Sequence, residues 1–253
     1  MDDSSPEHAV RVGWGPTSAI FLTFFLYFGA QFFAGVVLAI LSAVTSLSFG
    51  LSDEGSPVGI AGQFYFVVIS DAAMLLALWL FLRSRRSGFR SLGLARRPAI
   101  RDAGYVLAGY AVYFGLLVAA LAILGPLTGI NLEQQQELGF NNLFSGPEIV
   151  MGFIALVALP PIIEELVFRG FLFTGLRKRL TFIWATLITS FLFASPHLLA
   201  SSEGLLWVAG VDTFVLSLVL CYAREKTGAL WAPIAIHAIK NAIAFSILLS
   251  GAV

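Results

Sequence analysis

Long runs of apolar residues, separated by short polar interruptions, dominate the hydropathy pattern of this chain. A run of about 20 apolar residues is long enough to cross the hydrocarbon core of a bilayer as an α-helix. Seven runs meet this criterion, and they lie near residues 18–47, 60–82, 104–125, 148–174, 181–200, 204–222 and 229–250. The pattern therefore predicts an all-α fold, a polytopic transmembrane helix bundle of about seven spans.

The composition narrows the class of protein further. The chain has 253 residues, of which 58% are hydrophobic and 12% charged, whereas a soluble domain carries about 25% charged residues. Fifteen Lys and Arg balance fifteen Asp and Glu, so the chain lacks the basic footprint of a nucleic-acid-binding protein. A single cysteine, Cys221, can form neither an internal disulfide nor a CxxC metal site. We therefore expect a function within the lipid bilayer.

The distribution of Lys and Arg predicts the orientation, because these residues accumulate in short cytoplasmic loops. They lie between spans two and three, four and five, and six and seven: Arg83, Arg85, Arg86, Arg90, Arg96, Arg97, Arg101, Arg177, Lys178, Arg179, Arg224 and Lys226. The connections near residues 48–59, 126–147 and 201–203 contain none. We predict a multi-pass membrane protein with a cytoplasmic N-terminus and an external C-terminus, in the plasma membrane if the cell is prokaryotic.

Two segments outside the spans need an interpretation. The first span is longer than the apolar part of a signal peptide, and the acidic residues Asp2, Asp3 and Glu7 precede it, so we expect a retained helix. The connection 126–147 contains the polar run 133–137, which we interpret as a solvated loop rather than a substrate-binding lid.

Ionisable residues inside the spans are the candidates for chemistry, because a charge in hydrocarbon costs at least a few kcal/mol. They are Asp71, Glu164, Glu165, Arg169, His197, Asp212, His237 and Lys240. Glu164 and Glu165 follow a proline pair, which kinks or restarts a helix and frees backbone groups.

Spacing along the fourth span suggests separate roles for the two glutamates. Glu165 and Arg169 are four residues apart, so they share a helix face and can form an ion pair. Glu164 lies about 100° around the helix and is free for chemistry. Lys240 lies about thirteen residues above its inner turn and Asp212 about eleven above the end of its own span, so we expect them to form a charge-neutralising pair.

Counting from the predicted inner turns places four polar residues at similar depth. Glu164 and His197 are each within about 17 residues of the turn near Leu180. His237 and Asn241 are four residues apart on the seventh span and lie about 15 to 21 Å above their own turn. We therefore expect these four side chains to share a catalytic cavity among spans 4, 5 and 7.

Three motifs in this order are similar to those of a known family. They are Glu164-Glu165-x-x-x-Arg169, continuing as Phe168-Arg169-Gly170, then Phe193-x-x-x-His197, and finally His237-x-x-x-Asn241. They resemble the motifs of the CPBP family of intramembrane proteases, which includes the type II CAAX prenyl endopeptidase and the bacterial Abi-type proteins. The resemblance divides the single membrane domain into an N-terminal three-helix segment (1–147) and a CPBP-like catalytic bundle (148–253).

The resemblance implies that Glu164, His197, His237 and Asn241 are catalytic and that Glu165, Arg169 and Phe193 support them. Glu164 and His197 would activate a water, and His237 and Asn241 would donate hydrogen bonds to the oxyanion. No cofactor is then required. In the alternative, zinc-dependent version, Glu164, His197 and His237 would bind the metal. Asn241 is a poor zinc ligand, which favours the metal-free account.

Other interpretations stay open at this stage. A transporter or proton-relay protein also carries intramembrane Asp, Glu and His residues, and an inactive family member could serve as an immunity scaffold. His-Glu-x-x-His and Gly-x-Ser-Gly are absent from the sequence, and Asp212 does not follow Gly-x-Gly, which argues against the other intramembrane protease types. The expected partners are the bilayer and a membrane-associated or prenylated, CAAX-like protein or peptide substrate.

Overall fold

The computed structural model describes residues 12–45, 57–129, 145–199 and 204–250, together with residues 49, 131, 140 and 143. Over these ranges the chain forms seven apolar helices: α1 (Pro16–Thr45), α2 (Pro57–Ser84), α3 (Ile100–Thr128), α4 (Gly146–Arg177), α5 (Phe182–Leu198), α6 (Trp207–Thr227) and α7 (Trp231–Ser250). The helix α5 has 17 residues, and the other six are long and apolar enough to cross a membrane. No strand occurs in the part of the chain so described, so the predicted helical membrane bundle is confirmed.

Some sequence predictions concern residues outside these ranges. The acidic segment around Asp2, Asp3 and Glu7 and the polar run 133–137 lie outside the described residues. The interpretation of both segments therefore stays a prediction, as does the division of the chain at residue 147.

The sixth helix differs from its predicted bounds. The apolar window predicts a span over 204–222, but α6 begins at Trp207 and continues to Thr227. It ends where Gly228 adopts a left-handed conformation, with φ of 65°, and donates its N–H to the carbonyl of Arg224. The apolar stems of Arg and Lys can lie along a helix while their charges reach the membrane interface. For this reason Arg224 and Lys226 belong to the last turn of the helix rather than to a loop.

Two π-helical segments interrupt α4, at Ile154–Ala158 and Leu166–Phe173. Between them lies a short α-helical stretch, Leu159–Glu165, that contains the proline pair. Proline has no N–H and its ring clashes with the carbonyl four residues before it, so it disrupts regular α-helical bonding. Pro160 and Pro161 leave the carbonyl of Leu156 without its α-helical and its π-helical donor. Helix α4 is therefore irregular immediately before the two glutamates.

The buried core surrounds the second π-helical segment. All eight residues of Leu166–Phe173 are buried. Trp14, just before α1, stacks on Phe171 with ring centroids 5.1 Å apart and donates its indole N–H to the Phe171 carbonyl at 3.0 Å. Gly170 lies so close to the connection after α2 that an added Cβ would be 2.8 Å from Leu92 Cβ. Helix α4 is thus the central element around which the bundle packs.

The basic connections meet at one end of the bundle. Lys178 Nζ, after α4, donates to the Val12 carbonyl at 2.5 Å, and Arg177 Nη2 pairs with Glu225 at 2.7 Å. Trp231 Nε1, at the start of α7, donates to the carbonyl of Arg96 at 2.8 Å. Hydrogen bonds to Asp102 raise the pKa of Arg96 above its ordinary value. The start of α1 and all three basic connections therefore share one face, as the orientation rule requires.

Candidate active site

A cavity of about 520 Å³ lies among the helices, and the predicted catalytic residues line it. Glu164 from α4, His197 from α5, and His237 and Asn241 from α7 all line it. The cavity therefore lies among helices 4, 5 and 7, as the sequence predicts. Helices α1, α2 and α6 also contribute to its wall.

Glu165 faces away from this cavity into the protein. Its side chain and that of Arg169 are both 0% exposed, and Arg169 Nη1 donates to Glu165 Oε1 at 2.8 Å. The guanidinium also lies over the ring of Phe193, 4.3 Å from its centroid, in a cation–π contact. The predicted i, i+4 ion pair is present, and Phe193 is its aromatic neighbour.

His237 contacts both glutamates through its two ring nitrogens. Nδ1 lies 3.0 Å from Glu165 Oε1, and Nε2 lies 3.8 Å from Glu164 Oε2. An ionised carboxylate only accepts hydrogen bonds, so beside the carboxylate of the Arg169–Glu165 ion pair the proton in the Nδ1 contact belongs to the imidazole. Glu165 thereby fixes the ring so that Nε2 faces Glu164 and the cavity, an orienting role that spacing along the chain does not reveal.

His197 reaches the same cavity from the end of α5. Its ring makes an edge contact with Phe193 at 5.6 Å, and Phe193 makes a similar contact with His237 at 5.8 Å. Phe193 is 1% exposed, so a buried aromatic ring packs against both imidazoles. His197 and Glu164 both line the cavity.

Asn241 links the cavity to the irregular part of α4. Its Nδ2 donates to the Leu156 carbonyl at 2.9 Å, the backbone group that the proline pair leaves without a helical donor. An amide nitrogen carries two hydrogens, so a second N–H remains on a side chain that lines the cavity. The Asn241 side chain therefore supplies the hydrogen bond to the Leu156 carbonyl that the proline pair cannot donate.

Lys240 is paired, as predicted. Its Nζ lies 3.0 Å from Asp212 Oδ2. Asp212 also accepts a short hydrogen bond from the hydroxyl of Tyr113 on α3. This pair neutralises two intramembrane charges and ties α7 to α6 and α3.

Sequence reasoning missed the contribution of the first two helices to the cavity. Asp71, Ser70 and Gln63 of α2 line it, as do Tyr27 and Gln31 of α1. Asp71 was identified as an intramembrane charge, but no motif connected it with Glu164. Only its unusual location within an apolar span could have drawn attention to it.

The zinc alternative can be compared with this geometry. A catalytic zinc ion needs three protein ligands at about 2.0 to 2.3 Å from one point. Among the described ranges, no three His, Cys, Asp or Glu side chains are grouped closely enough to hold a metal ion. As arranged, the side chains do not fit such a site.

Comparisons with known proteins support the family predicted from the motifs. Residues 146–243 match the type II CAAX prenyl endopeptidase Rce1-like family. A curated Escherichia coli protein described as an uncharacterized 24.3 kDa protein is 30% identical over 129 residues, which cover 48% of this chain and 58% of the relative. No solved structure matches the chain. Residues 146–243 are therefore similar to the type II CAAX prenyl endopeptidase Rce1-like family, the resemblance that the three motifs predict.

Proposed function

We propose that this protein is an intramembrane endopeptidase that hydrolyses a peptide bond in a membrane-associated or prenylated, CAAX-like substrate. One observation carries the proposal: the four candidate catalytic residues of the three motifs converge on a single cavity within the helix bundle. The match to the endopeptidase family over residues 146–243 supports the same reaction.

Glu164 and His197 are the proposed pair that activates water. Both line the cavity of about 520 Å³, which is large enough to hold the attacking water. A carboxylate and an imidazole can jointly take a proton from such a water as its oxygen attacks the peptide carbonyl. The same proton then passes to the nitrogen of the departing amine, so that one water is consumed for each bond cut.

His237 and Asn241 are the proposed oxyanion donors. His237 Nε2 faces the cavity because Glu165 accepts from Nδ1, and it donates when the ring carries a proton on both nitrogens. Glu165, which also pairs with Arg169, accepts the hydrogen bond from Nδ1 in that state. Asn241 offers its second amide N–H, the first being held by Leu156. Such donors are stronger in a site from which water is excluded.

The surroundings of the cavity favour a substrate that is already in the membrane. Apolar side chains, including Phe66, Val67, Met74, Phe245 and Leu248, share its wall with the polar residues. An apolar or lipid-modified peptide can bury its surface there, whereas a soluble, highly charged peptide cannot. The substrate and the lipid bilayer are thus the proposed partners.

A cleavage assay in reconstituted liposomes tests the proposal. The parent protein should cut an internally quenched peptide that ends in a farnesylated CAAX-like tail. Glu164→Gln should lower kcat by about 10² to 10⁴ because it removes the general base. Glu225→Gln is the matched control, since Glu225 forms only an exposed ion pair with Arg177, and it should cut at the parent rate. Equal cleavage by the parent and by Glu164→Gln would refute the proposal.

A further inference from the structure

The cavity contains a second carboxylate that the proposed reaction does not use. Asp71, near the middle of α2, lines the same cavity as Glu164. Its Oδ2 is buried and has no hydrogen-bond partner among the described residues. Asp71 is also close enough to Glu164 for the two carboxylates to interact electrostatically.

Among the described residues, the two cationic side chains inside the bundle already form ion pairs. Arg169 is paired with Glu165, and Lys240 with Asp212. The remaining Lys and Arg residues of the described ranges lie at helix ends or in connections. Asp71 therefore has no Lys or Arg partner among the described residues, although a buried carboxylate is stable only when it is paired, hydrogen bonded or protonated.

Side chains of the neighbouring helix α1 that carry neutral oxygen atoms line the same cavity as Asp71. Tyr27 and Gln31 are four residues apart on α1 and both line the cavity. The Tyr27 hydroxyl is within electrostatic range of both Asp71 and Glu164. An ammonium group donates three hydrogen bonds and accepts none, so a carboxylate with hydroxyl and amide oxygens nearby suits a basic side chain.

We propose that Asp71 forms a specificity subsite that binds a lysine or arginine side chain of the substrate, with Tyr27 and Gln31 as neighbouring acceptors. This inference rests on the proposed endopeptidase function and adds a substrate preference to it. Asp71 and Glu164 line the same cavity, so the substrate residue whose basic side chain binds Asp71 is near the scissile bond. An extended chain spans about 3.5 Å per residue, which places this residue within about three residues of that bond.

A lysine scan of a cleavable peptide tests this subsite. In a set of otherwise identical quenched peptides, one position at a time on either side of the scissile bond carries lysine, norleucine or ornithine. With the parent protein, lysine at one position should raise kcat/KM about 10- to 100-fold over norleucine, as expected for a charge-assisted hydrogen bond. In Asp71→Asn that ratio should fall to about one. Glu225→Gln, which removes a carboxylate outside the cavity, should keep the parent ratio.

A second variant covers the case in which Asp71→Asn does not fold. Asp71→Glu keeps the charge but extends the side chain by one methylene, so the preferred cation should shift from lysine to the shorter ornithine. Any of three results would disprove the subsite. The parent protein shows no lysine preference at any position, the preference persists in Asp71→Asn, or the preference does not shift in Asp71→Glu. Failure of the endopeptidase proposal gives a different result: the parent protein cuts no peptide at a rate that Glu164→Gln lowers.

Discussion

Adjacent glutamates in α4 have different surroundings and therefore different expected roles. Glu164 lines the cavity and its side chain is 14% exposed, whereas that of Glu165 is 0% exposed. Two donors, Arg169 Nη1 and His237 Nδ1, converge on the same oxygen, Glu165 Oε1. Glu165 thus joins α4 to α7, and its contribution to the site passes through the position of His237.

Removing Arg169 should destabilise the protein more than removing the charge of Glu164. Arg169→Ala leaves Glu165 buried beside His237 alone, and breaking a buried ion pair costs about 3 to 5 kcal/mol. Glu164→Gln keeps the shape of a side chain that has no Lys or Arg partner among the described residues. Thermal unfolding of both variants in the same detergent checks this prediction. A parent-like melting temperature for Arg169→Ala, together with unfolding of Glu164→Gln, would reverse the assignment of the two glutamates.

Replacing Asn241 should weaken catalysis without abolishing it. Loss of one oxyanion donor lowers the rate by about 10² to 10³, so Asn241→Ala should keep a measurable residual activity above that of Glu164→Gln. Ser246→Ala is the control on the same helix, because the Ser246 hydroxyl is exposed and bonds only to the carbonyl of Ala242. Unaltered kcat in Asn241→Ala would exclude an oxyanion role.

Sequence spacing predicted some residue contacts and not others. The Glu165–Arg169 pair follows from one helical repeat within a single helix, and the Lys240–Asp212 pair follows from matching depths. The bond between His237 and Glu165 joins helices that are far apart in sequence, and it depends on side-chain direction as well as depth. The position of Asp71 in the cavity depends on how α2 packs against α4, which no local pattern encodes.

At the scale of elements, α4 combines two features that the sequence shows only in part. The proline pair predicted a break before the glutamates, but not the π-helical segment Leu166–Phe173 that follows them. That segment is wholly buried, so its geometry is set by packing on all sides. Asn241 compensates for the break by donating to the Leu156 carbonyl.

Close packing of α4 makes Gly170 sensitive to substitution. A Cβ at Gly170 would lie 2.8 Å from Leu92 Cβ and 3.1 Å from the Leu92 carbonyl oxygen. Gly170→Ala should therefore lower the free energy of unfolding by about 1 to 3 kcal/mol, as overpacking does. Gly115→Ala on α3 is the matched control, because a Cβ there meets no atom within 4 Å and alanine favours a helix. Equal melting temperatures for the two variants would contradict this packing.

At the scale of the whole molecule, the bundle should insert with its basic end in the cytoplasm. The charge asymmetry predicts this orientation, and contacts of Lys178 and Arg96 with Val12 and Trp231 bring the basic connections together. Single cysteines at Ser87 and Ser250 in intact cells provide the measurement. An impermeant thiol reagent should label Ser250→Cys and not Ser87→Cys, while the buried Cys221 stays unreactive. Labelling of Ser87→Cys would place the basic end outside.

Hydropathy was sufficient to predict the seven helices, because the bilayer fixes the length and apolarity of a span. It was insufficient for the shape of the cavity, since α1 and α2 contribute Tyr27, Gln31 and Asp71 without belonging to any motif. The three sequence motifs of α4, α5 and α7 therefore describe one wall of the candidate site. The part of the cavity wall that α1 and α2 form depends on tertiary packing.

The central claim is that Glu164 and His197 activate water without a tightly bound metal. Metal analysis of the detergent-purified protein, with the peptidase assay run before and after chelator treatment, tests it most directly. We expect substoichiometric zinc and activity that survives the chelator, while Glu164→Gln stays about 10²- to 10⁴-fold below the parent under both conditions. Stoichiometric zinc that is lost together with activity, and that restores activity when added back, would contradict the glutamate mechanism.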